Sequence, residues 1–473
     1  MEGELIMKEY ELIVIGMGPA GMAVTAMASN MDLDVLAIEK HKVGGECLNY
    51  GCIPSKALLK AGEMNEVTEN LEKYGIDFRG QTEVNNPLEI VQNKLDQISG
   101  SKTMKAFEKA DLILDKGKAE FVDQNTVKVG GEKYTSDKIF IATGTEPFIP
   151  PIPGIEDVPR LTNLNLFTQE DVPEELTIIG GGAIGSEMAQ AFSRLGSEIN
   201  VIQIDDHLIP AGDKEAGQIL EETFTAEGIS VYNNTSIEKI EERNGRIYTH
   251  TDKGCFSSDK ILVATGRKPV LEPLKLDKAG INYTKQGIEV NQKMETNVNG
   301  VYAVGDCNGR SLFSHAAMHQ GMIALMNAIN PLPFKKFKID DYVVPWSVFT
   351  KPEVAQAGLT EEEAQEKGIN YQVVKEKYED YGRTIADGKT DGFVKVITNS
   401  KGKIFGATIV GEAASELIHE WVLAIQHDIK MFDLMMTQHS FPTISLLNKR
   451  VAEQWMMNKT DSDFVKKLAK TFI

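Results

Sequence analysis

Two stretches of the chain carry the same pattern of apolar and polar positions. From Tyr10 the sequence reads YELIVIGMGPAGMAVTAMASNMDLDVLAIEK, and from Leu176 it reads LTIIGGGAIGSEMAQAFSRLGSEINVIQID. Each begins with an unbroken apolar run, passes through a glycine-rich turn, continues with helical periodicity and ends in a second apolar run. A short unbroken run suits a strand buried on both faces, as parallel sheets require. Each stretch is therefore predicted to be a βαβ unit. The offset also repeats: 23 residues separate Gly16 from Glu39 (39 − 16) and Gly180 from Gln203 (203 − 180). Further on, Val301-Tyr302-Ala303-Val304-Gly305-Asp306 reads as a strand ending in a turn that carries a carboxylate. After Trp346 the pattern changes. The runs FVKVIT and IFGATIVG read as strands and ASELIHEWVLAIQH as a helix, which predicts an α+β unit.

Proline and glycine mark the joints. Ala142-Thr143-Gly144 leads into the proline-rich segment EPFIPPIPGIEDVP (Glu146 to Pro159), and a matching Ala264-Thr265-Gly266 closes the second unit. Another proline-marked boundary runs from Pro331 to Pro345. The expected division is 1–149, 150–275, 276–343 and 344–473. At 473 residues the chain is too long for one ordinary core.

Composition narrows the function classes. With 42% apolar and 25% charged residues the chain has an ordinary globular balance, and a net charge of −19 argues against a nucleic-acid partner. No 18-residue apolar window is present, and MEGELIMKEYELIVIGMG lacks the basic region of a signal peptide. A cytoplasmic protein without a membrane partner is expected. The four cysteines are too sparse for a secreted disulfide scaffold, so a close pair points to redox chemistry or a metal.

Three motifs carry candidate chemistry. Gly16-x-Gly18-x-x-Gly21 lies between a predicted strand and helix, where glycines let a pyrophosphate approach a helix N-terminus, and Glu39 is placed to accept from a ribose. Gly180-x-Gly182-x-x-Gly185 has the same context, with Glu187 after it. Its ribose position, Gln203, is neutral, and Asp205 and Asp206 follow, so a 2′-phosphate would be repelled. NADH is favoured over NADPH, although a glutamine can also tolerate both. The third motif runs from Gly44 to Lys56 and holds Cys47 and Cys52 at a helix start, where the helix dipole lowers thiol pKa. A small redox disulfide, half of a metal site and two unrelated thiols all fit that spacing; a metal would need further ligands, and no second Cys or Cys/His pair is visible. Lys56 is one turn beyond Cys52 on the same face. Cys307 reads as a small buried residue and Cys255 as structural, the methionines from Met318 to Met326 read as core and Glu361-Glu362-Glu363 as a solvated helix start, and His315 with His319 lacks the third ligand of a zinc site.

CLNYGCIPSKALL, GMGPAG, ATGTEP, GGGAIGSE, ATGRKP, VGDC, FTKPEVAQAGLTEEEA and GATIVGEAASELI occur in one order along nearly the whole chain. In this the sequence resembles the pyridine nucleotide–disulfide oxidoreductases, nearest the dihydrolipoamide dehydrogenase and mercuric reductase branch. The resemblance implies an α/β fold with two Rossmann-like domains, for FAD (1–149, continued at 276–343) and NAD(P) (150–275), and a C-terminal α+β dimerisation domain (344–473). It implies a homodimer in which the C-terminal segment of one subunit completes the other's active site. Cys52 would face the flavin as a thiolate, Cys47 would exchange with substrate, and Lys56 and Glu187 would pair beside the two cofactors. FAD would be held by Gly16, Gly18, Pro19, Ala20, Gly21, Glu39, Lys40, Gly45, Glu46, Lys56, Ala119, Thr143, Gly144, Asp306, Ser314 and His315. The nicotinamide nucleotide would be held by Gly180, Gly182, Ala183, Ile184, Gly185, Glu187, Gln203 and Gly266.

The resemblance breaks at one place. Most members that reduce disulfides end in His-x-His-Pro-Thr-x-x-Glu, the second His acting as acid/base and the Glu orienting it. Here the segment is His439-Ser440-Phe441-Pro442-Thr443-Ile444-Ser445-Leu446, so Phe441 and Leu446 stand at those two positions. His439 is a candidate substitute, although it points elsewhere on an extended segment. The tail DFVKKLAKTFI lacks the cysteine pair of mercuric reductases. Three functions stay open: an NAD(P)H-dependent reductase of a small or protein-bound disulfide, persulfide or other sulfur acceptor, including a dihydrolipoamide dehydrogenase of low activity; a diaphorase-like flavoprotein passing electrons to quinones or a partner protein; and a silent binding subunit.

Overall fold

The computed structural model describes residues 8–460 apart from 78–79, 81, 100–103, 106 and 333–335. The tail expected to lack metal-receiving cysteines and the first residues of the N-terminus lie outside the described residues.

Both repeated patterns fold as βαβ units at the centre of parallel sheets. Leu12–Ile15, buried throughout, sits in a five-stranded sheet ordered Val301–Ala303, Ile139–Ile141, Leu12–Ile15, Val35–Glu39, Asp111–Leu114. Glu175–Ile179 is central to a second five-stranded parallel sheet ordered Arg160–Leu161, Lys260–Val263, Glu175–Ile179, Glu198–Ile202, Ser230–Tyr232. The strand Val301–Ala303 thus returns from beyond the second unit to close the first sheet, and it delivers Asp306 to that sheet's end. The two alanine-threonine-glycine tripeptides lead into Thr145–Pro147 and Arg267–Pro269, which pair antiparallel and so tie together the two crossings between the units.

Residues after Trp346 form a five-stranded antiparallel sheet ordered Trp346–Val348, Glu353–Gly358, Ile404–Gly411, Phe393–Thr398, Gln372–Lys377. Helices Ala414–Gln426 and Leu446–Thr460 share one core with it around the fully buried Trp421. Glu361–Glu366 is a short helix capped by Thr360, with Glu363 completing the capping box.

Helix Pro19–Asn30 packs on helix Ser314–Ile329, and the approach is close. A Cβ added at Gly321 would lie 2.7 Å from the Ala20 carbonyl oxygen. That contact seats the middle of the second helix against the residues that close the first glycine turn. Two structural readings need correcting. The buried face of Ser314–Ile329 is made of Ala316, Ala317, Gln320, Gly321, Ile323, Ala324, Leu325 and Asn327, while Met318 is exposed. Cys255 is exposed on Gly254–Ser258, the edge strand of a small antiparallel sheet, and supports no core. Cys307 is buried as expected, and burial pushes its thiol up to about 12.

Candidate active site

The glycine turns are built by backbone conformation and by close approach. Gly16 and Gly180 have φ of 99° and 106°, where a side chain is strained. A Cβ on Gly21 or Gly185 would fall 1.8 or 1.9 Å from the carbonyl oxygen of Gly16 or Gly180. Gly18 and Gly182 differ. Their φ values of −73° and −72° suit any residue. A Cβ on Gly182 would meet nothing within 4 Å, and one on Gly18 only the Gly45 Cα at 3.9 Å. Their missing side chains serve no packing inside the protein; they leave room in a cavity of about 1400 Å³. That cavity has a helix N-terminus at each turn, the kind of place where backbone N–H groups receive a phosphate.

Every position assigned above to catalysis or cofactor binding lines this one cavity, except Gly21, Gly185 and His439. The two glycines are packed behind the turns instead. Glu39 and Gln203 brace their turns in the same way. Met17 N–H donates to Glu39 Oε2 at 2.8 Å and His41 N–H to Glu39 Oε1 at 2.9 Å. Gly181 N–H donates to Gln203 Oε1 at 3.0 Å, and Gln203 Nε2 donates to Asp205 Oδ2 at 3.0 Å. The second site therefore keeps a carboxylate beside Gln203, supplied by Asp205 rather than by the residue at the strand end.

The cysteines occupy the join of two helices. Cys47 lies in Gly45–Tyr50, and Cys52 is the first residue of the 18-residue helix Cys52–Glu69. Both are free thiols. Cys52 Sγ is 3.4 Å from Ser314 Oγ, at the start of the helix that Gly321 allows so close. The Cys52 thiol is pulled down to about 6, chiefly by hydrogen bonding from Cys47, against burial, and then by the Ser314 hydroxyl and the Lys56 charge. Cys47 is driven the other way, above the ordinary thiol range, by its hydrogen bond with Cys52 and by burial. Sequence placed Ser314 only along a cofactor wall; its contact with Cys52 depends on a helix start 262 residues away.

Lys56 and Glu187 meet across two units. Lys56 Nζ donates to Glu187 Oε2 at 2.7 Å and to Oε1 at 2.9 Å. A second network surrounds Glu46. It accepts from Asn163 Nδ2 at 2.9 Å and from Arg267, whose Nε donates to Thr145 Oγ1 at 2.7 Å. The Thr145 hydroxyl in turn donates to Asp306 Oδ2 at 3.2 Å. Burial raises the Asp306 carboxyl, opposed by Arg267 and Thr145. Arg267, Thr145 and Asn163 were missed by sequence reasoning, although Arg267 directly follows the Gly266 tripeptide.

His439 is occupied elsewhere. Its Nε2 bonds Glu420 Oε1 at 3.0 Å, and its side chain is only 8% exposed. Glu420 also accepts from Asn448 Nδ2 at 2.8 Å, and Asn448 Oδ1 accepts from Trp421 Nε1 at 2.8 Å. Phe441, by contrast, is 80% exposed. Its loop is fixed by Lys449, Arg383 and Tyr381, which donate to the carbonyls of Thr437 (2.9 Å), Pro442 (2.8 Å) and Thr443 (3.0 Å). His315 Nε2 contacts the Pro345 carbonyl at 2.7 Å, and no metal-binding group exists among the described residues.

Two glycine turns at paired dinucleotide sites, opening on one cavity with a polarised dithiol, define a flavin- and nicotinamide-dependent oxidoreductase of the disulfide type. The chain belongs to the pyridine nucleotide-disulphide oxidoreductase family: residues 10–321 match that family, and residues 344–450 match its dimerisation domain. It is 37% identical over 451 residues to a dihydrolipoyl dehydrogenase of Thermus scotoductus, covering 93% of this chain and 96% of that one. It is 33% identical to a mercuric reductase of Staphylococcus aureus, covering 90% of this chain and 79% of that one. The Cu(II) complex of the HOCl-induced flavoprotein disulfide reductase RclA from Escherichia coli superposes with a TM-score of 0.84 at 25% identity, covering 95% of this chain and 100% of that one. No described helix is long and apolar enough to cross a membrane.

Proposed function

We propose that the protein takes electrons from NADH through bound FAD to the Cys47–Cys52 pair. From there they pass to a small or protein-bound disulfide, persulfide or other sulfur acceptor, without a histidine acid/base. The observation that carries this reading is geometric: both thiols lie in the cavity shared by the two glycine turns, with Cys52 Sγ 3.4 Å from Ser314 Oγ and one helical turn from Lys56, whose charge favours the Cys52 thiolate. The turns at Gly16 to Gly21 and Gly180 to Gly185, with Glu39, Glu46 and Asp306, would hold the two cofactors. When bound, the flavin supplies the conversion between a hydride and an electron pair.

Relative to the disulfide, the reduced pair carries two electrons and one proton, with Cys52 as thiolate and Cys47 as thiol. As Cys47 attacks an acceptor sulfur, its proton passes to Cys52 along their hydrogen bond. The acceptor S–S bond breaks and the first thiolate leaves. Cys52 gives that proton to the departing thiolate and attacks the Cys47 sulfur, releasing the second thiolate and restoring the disulfide. The acceptor then takes its second proton from solvent. Thiol exchange is fastest when the leaving thiol has a low pKa, so this route favours acceptors whose leaving groups are stable anions. Phe441 and Leu446 cannot move protons, and acid/base catalysis contributes about 10²–10⁴-fold where it is present. Dihydrolipoamide is therefore a poor substrate on this reading. The match to the dimerisation domain and the fixed, exposed Phe441 loop support a homodimer in which that loop meets the partner.

The test is turnover under NADH with a panel of low-pKa disulfides and polysulfides, repeated with Cys47→Ser. Loss of turnover in the variant supports the dithiol route. Full turnover in the variant would instead favour direct electron transfer to quinones or a protein, with the cysteines bystanders.

A further inference from the structure

The Lys56–Glu187 pair has a third member. Phe349 follows strand Trp346–Val348, so it comes from the C-terminal sheet, whereas Lys56 and Glu187 come from helices of the first and second units. Its backbone N–H donates to Glu187 Oε1 at 3.0 Å. Its ring lies 4.4 Å from Lys56 Nζ. The Glu187 side chain is only 6% exposed and its carboxylate needs partners on both oxygens; Lys56 and the Phe349 amide provide them.

The segment holding that ring is itself locked. Lys351 N–H donates to Gln190 Oε1 at 2.7 Å, and Gln190 Nε2 donates to the Lys351 carbonyl at 2.7 Å. Gln190 is fully buried and lies three residues after Glu187 on one helix face. The backbone that carries Phe349 is therefore anchored two residues downstream by a reciprocal amide pair.

We propose that Phe349 is a positioning residue of the redox centre, its amide fixing the Glu187 carboxylate and its ring fixing the Lys56 ammonium where it faces the cysteine pair. This rests on the reading of Cys52 as a working thiolate. The direction of its effect follows from the charges. Lys56 favours the Cys52 thiolate and Glu187 opposes it. Without the ring, Lys56 gains freedom to move away while Glu187 stays bound to the Phe349 amide, so the balance at Cys52 turns against the anion.

Phe349→Leu isolates the ring, because it keeps the amide. The readout is the pH at which the reduced holoenzyme loses half its thiolate. It is followed both by the long-wavelength absorbance of a thiolate against flavin and by the rate of iodoacetamide alkylation. The rise is at most about 0.4–0.7 pH units, the whole of a cation–π contact of ordinary strength. Phe349→Trp, which offers a stronger π face, leaves the midpoint at or below that of the unaltered protein. In a Lys56→Gln background the Leu substitution moves nothing further. A purely structural role would lower the melting temperature and leave the midpoint in place, and that result overturns the proposal. So does an equal rise with Leu and Trp, or an undiminished rise in the Lys56→Gln background. A midpoint in the ordinary thiol range for the unaltered protein refutes the thiolate reading itself, and the proposal with it.

Discussion

Replacing Ser314 with alanine removes one hydroxyl from the Cys52 sulfur, 3.4 Å away, a hydroxyl that also acts on Cys47. A thiolate can only accept, so in the ionised state Ser314 is the donor. A hydrogen bond to a charged group contributes about 1.5–3 kcal/mol. Water entering from the cavity recovers part of it, leaving roughly 1.4 kcal/mol, or one pH unit. The sign follows from the direction of the shift. A depressed thiol pKa means that the anion prevails above it, so losing the donor moves the midpoint upward, from about 6 to roughly 7. At pH 6.5 the thiolate fraction should fall from about 75% to about 25%, while above pH 9 the two proteins converge. The assay is the long-wavelength absorbance of the two-electron-reduced protein between pH 5 and 9. Ser314→Thr, which keeps the hydroxyl, should retain the original midpoint. An unmoved midpoint in the alanine variant, or equal shifts in both variants, refutes Ser314 as a thiolate donor and leaves Cys47 and Lys56 as its stabilisers.

Three other outcomes are expected. Phe441→His combined with Leu446→Glu should raise dihydrolipoamide turnover by about 10²–10³-fold, and either change alone by much less, because the base needs its orienting partner. NADH should be preferred to NADPH by at least about tenfold in kcat/KM, and Asp205→Asn should narrow that ratio by removing a carboxylate next to the ribose end of the site. Gly182→Val should abolish nicotinamide nucleotide binding by calorimetry while shifting the melting temperature little, since a Cβ at that position meets nothing within 4 Å.

How much the sequence discloses depends on distance along the chain. The βαβ units, their turns and the cysteine pair are local patterns, and the fold reproduces them within a residue or two. Lys56 and Glu187 were also legible, because each sits at a fixed offset inside a motif. What the sequence hides is made by long-range packing. Helix Ser314–Ile329 packs closely on Pro19–Asn30 at Gly321, and its first residue meets Cys52. Phe349 reaches Lys56 because Gln190 holds the Lys351 peptide. Both residues stand in recognisable segments, but nothing in their local pattern says which side chain they face. His439 shows the converse. Its place near Phe441 suggested a spare proton carrier, whereas tertiary packing commits it to Glu420 in a buried network with Asn448 and Trp421. Gln203 is intermediate: its offset was readable, but the hydrogen bond that draws Asp205 beside it was not.

The central claim is that the Cys47–Cys52 dithiol is the group through which electrons leave the flavin. Anaerobic titration of the purified protein with NADH, watched across the visible spectrum, tests it most directly. A long-wavelength band at two electrons per flavin is predicted; in Cys47→Ser, which has no disulfide to take electrons, the band is present before titration and bleaches with the flavin, and in Cys52→Ser it is absent throughout. Bleaching of the flavin without that band, in the unaltered protein as in both variants, would contradict it.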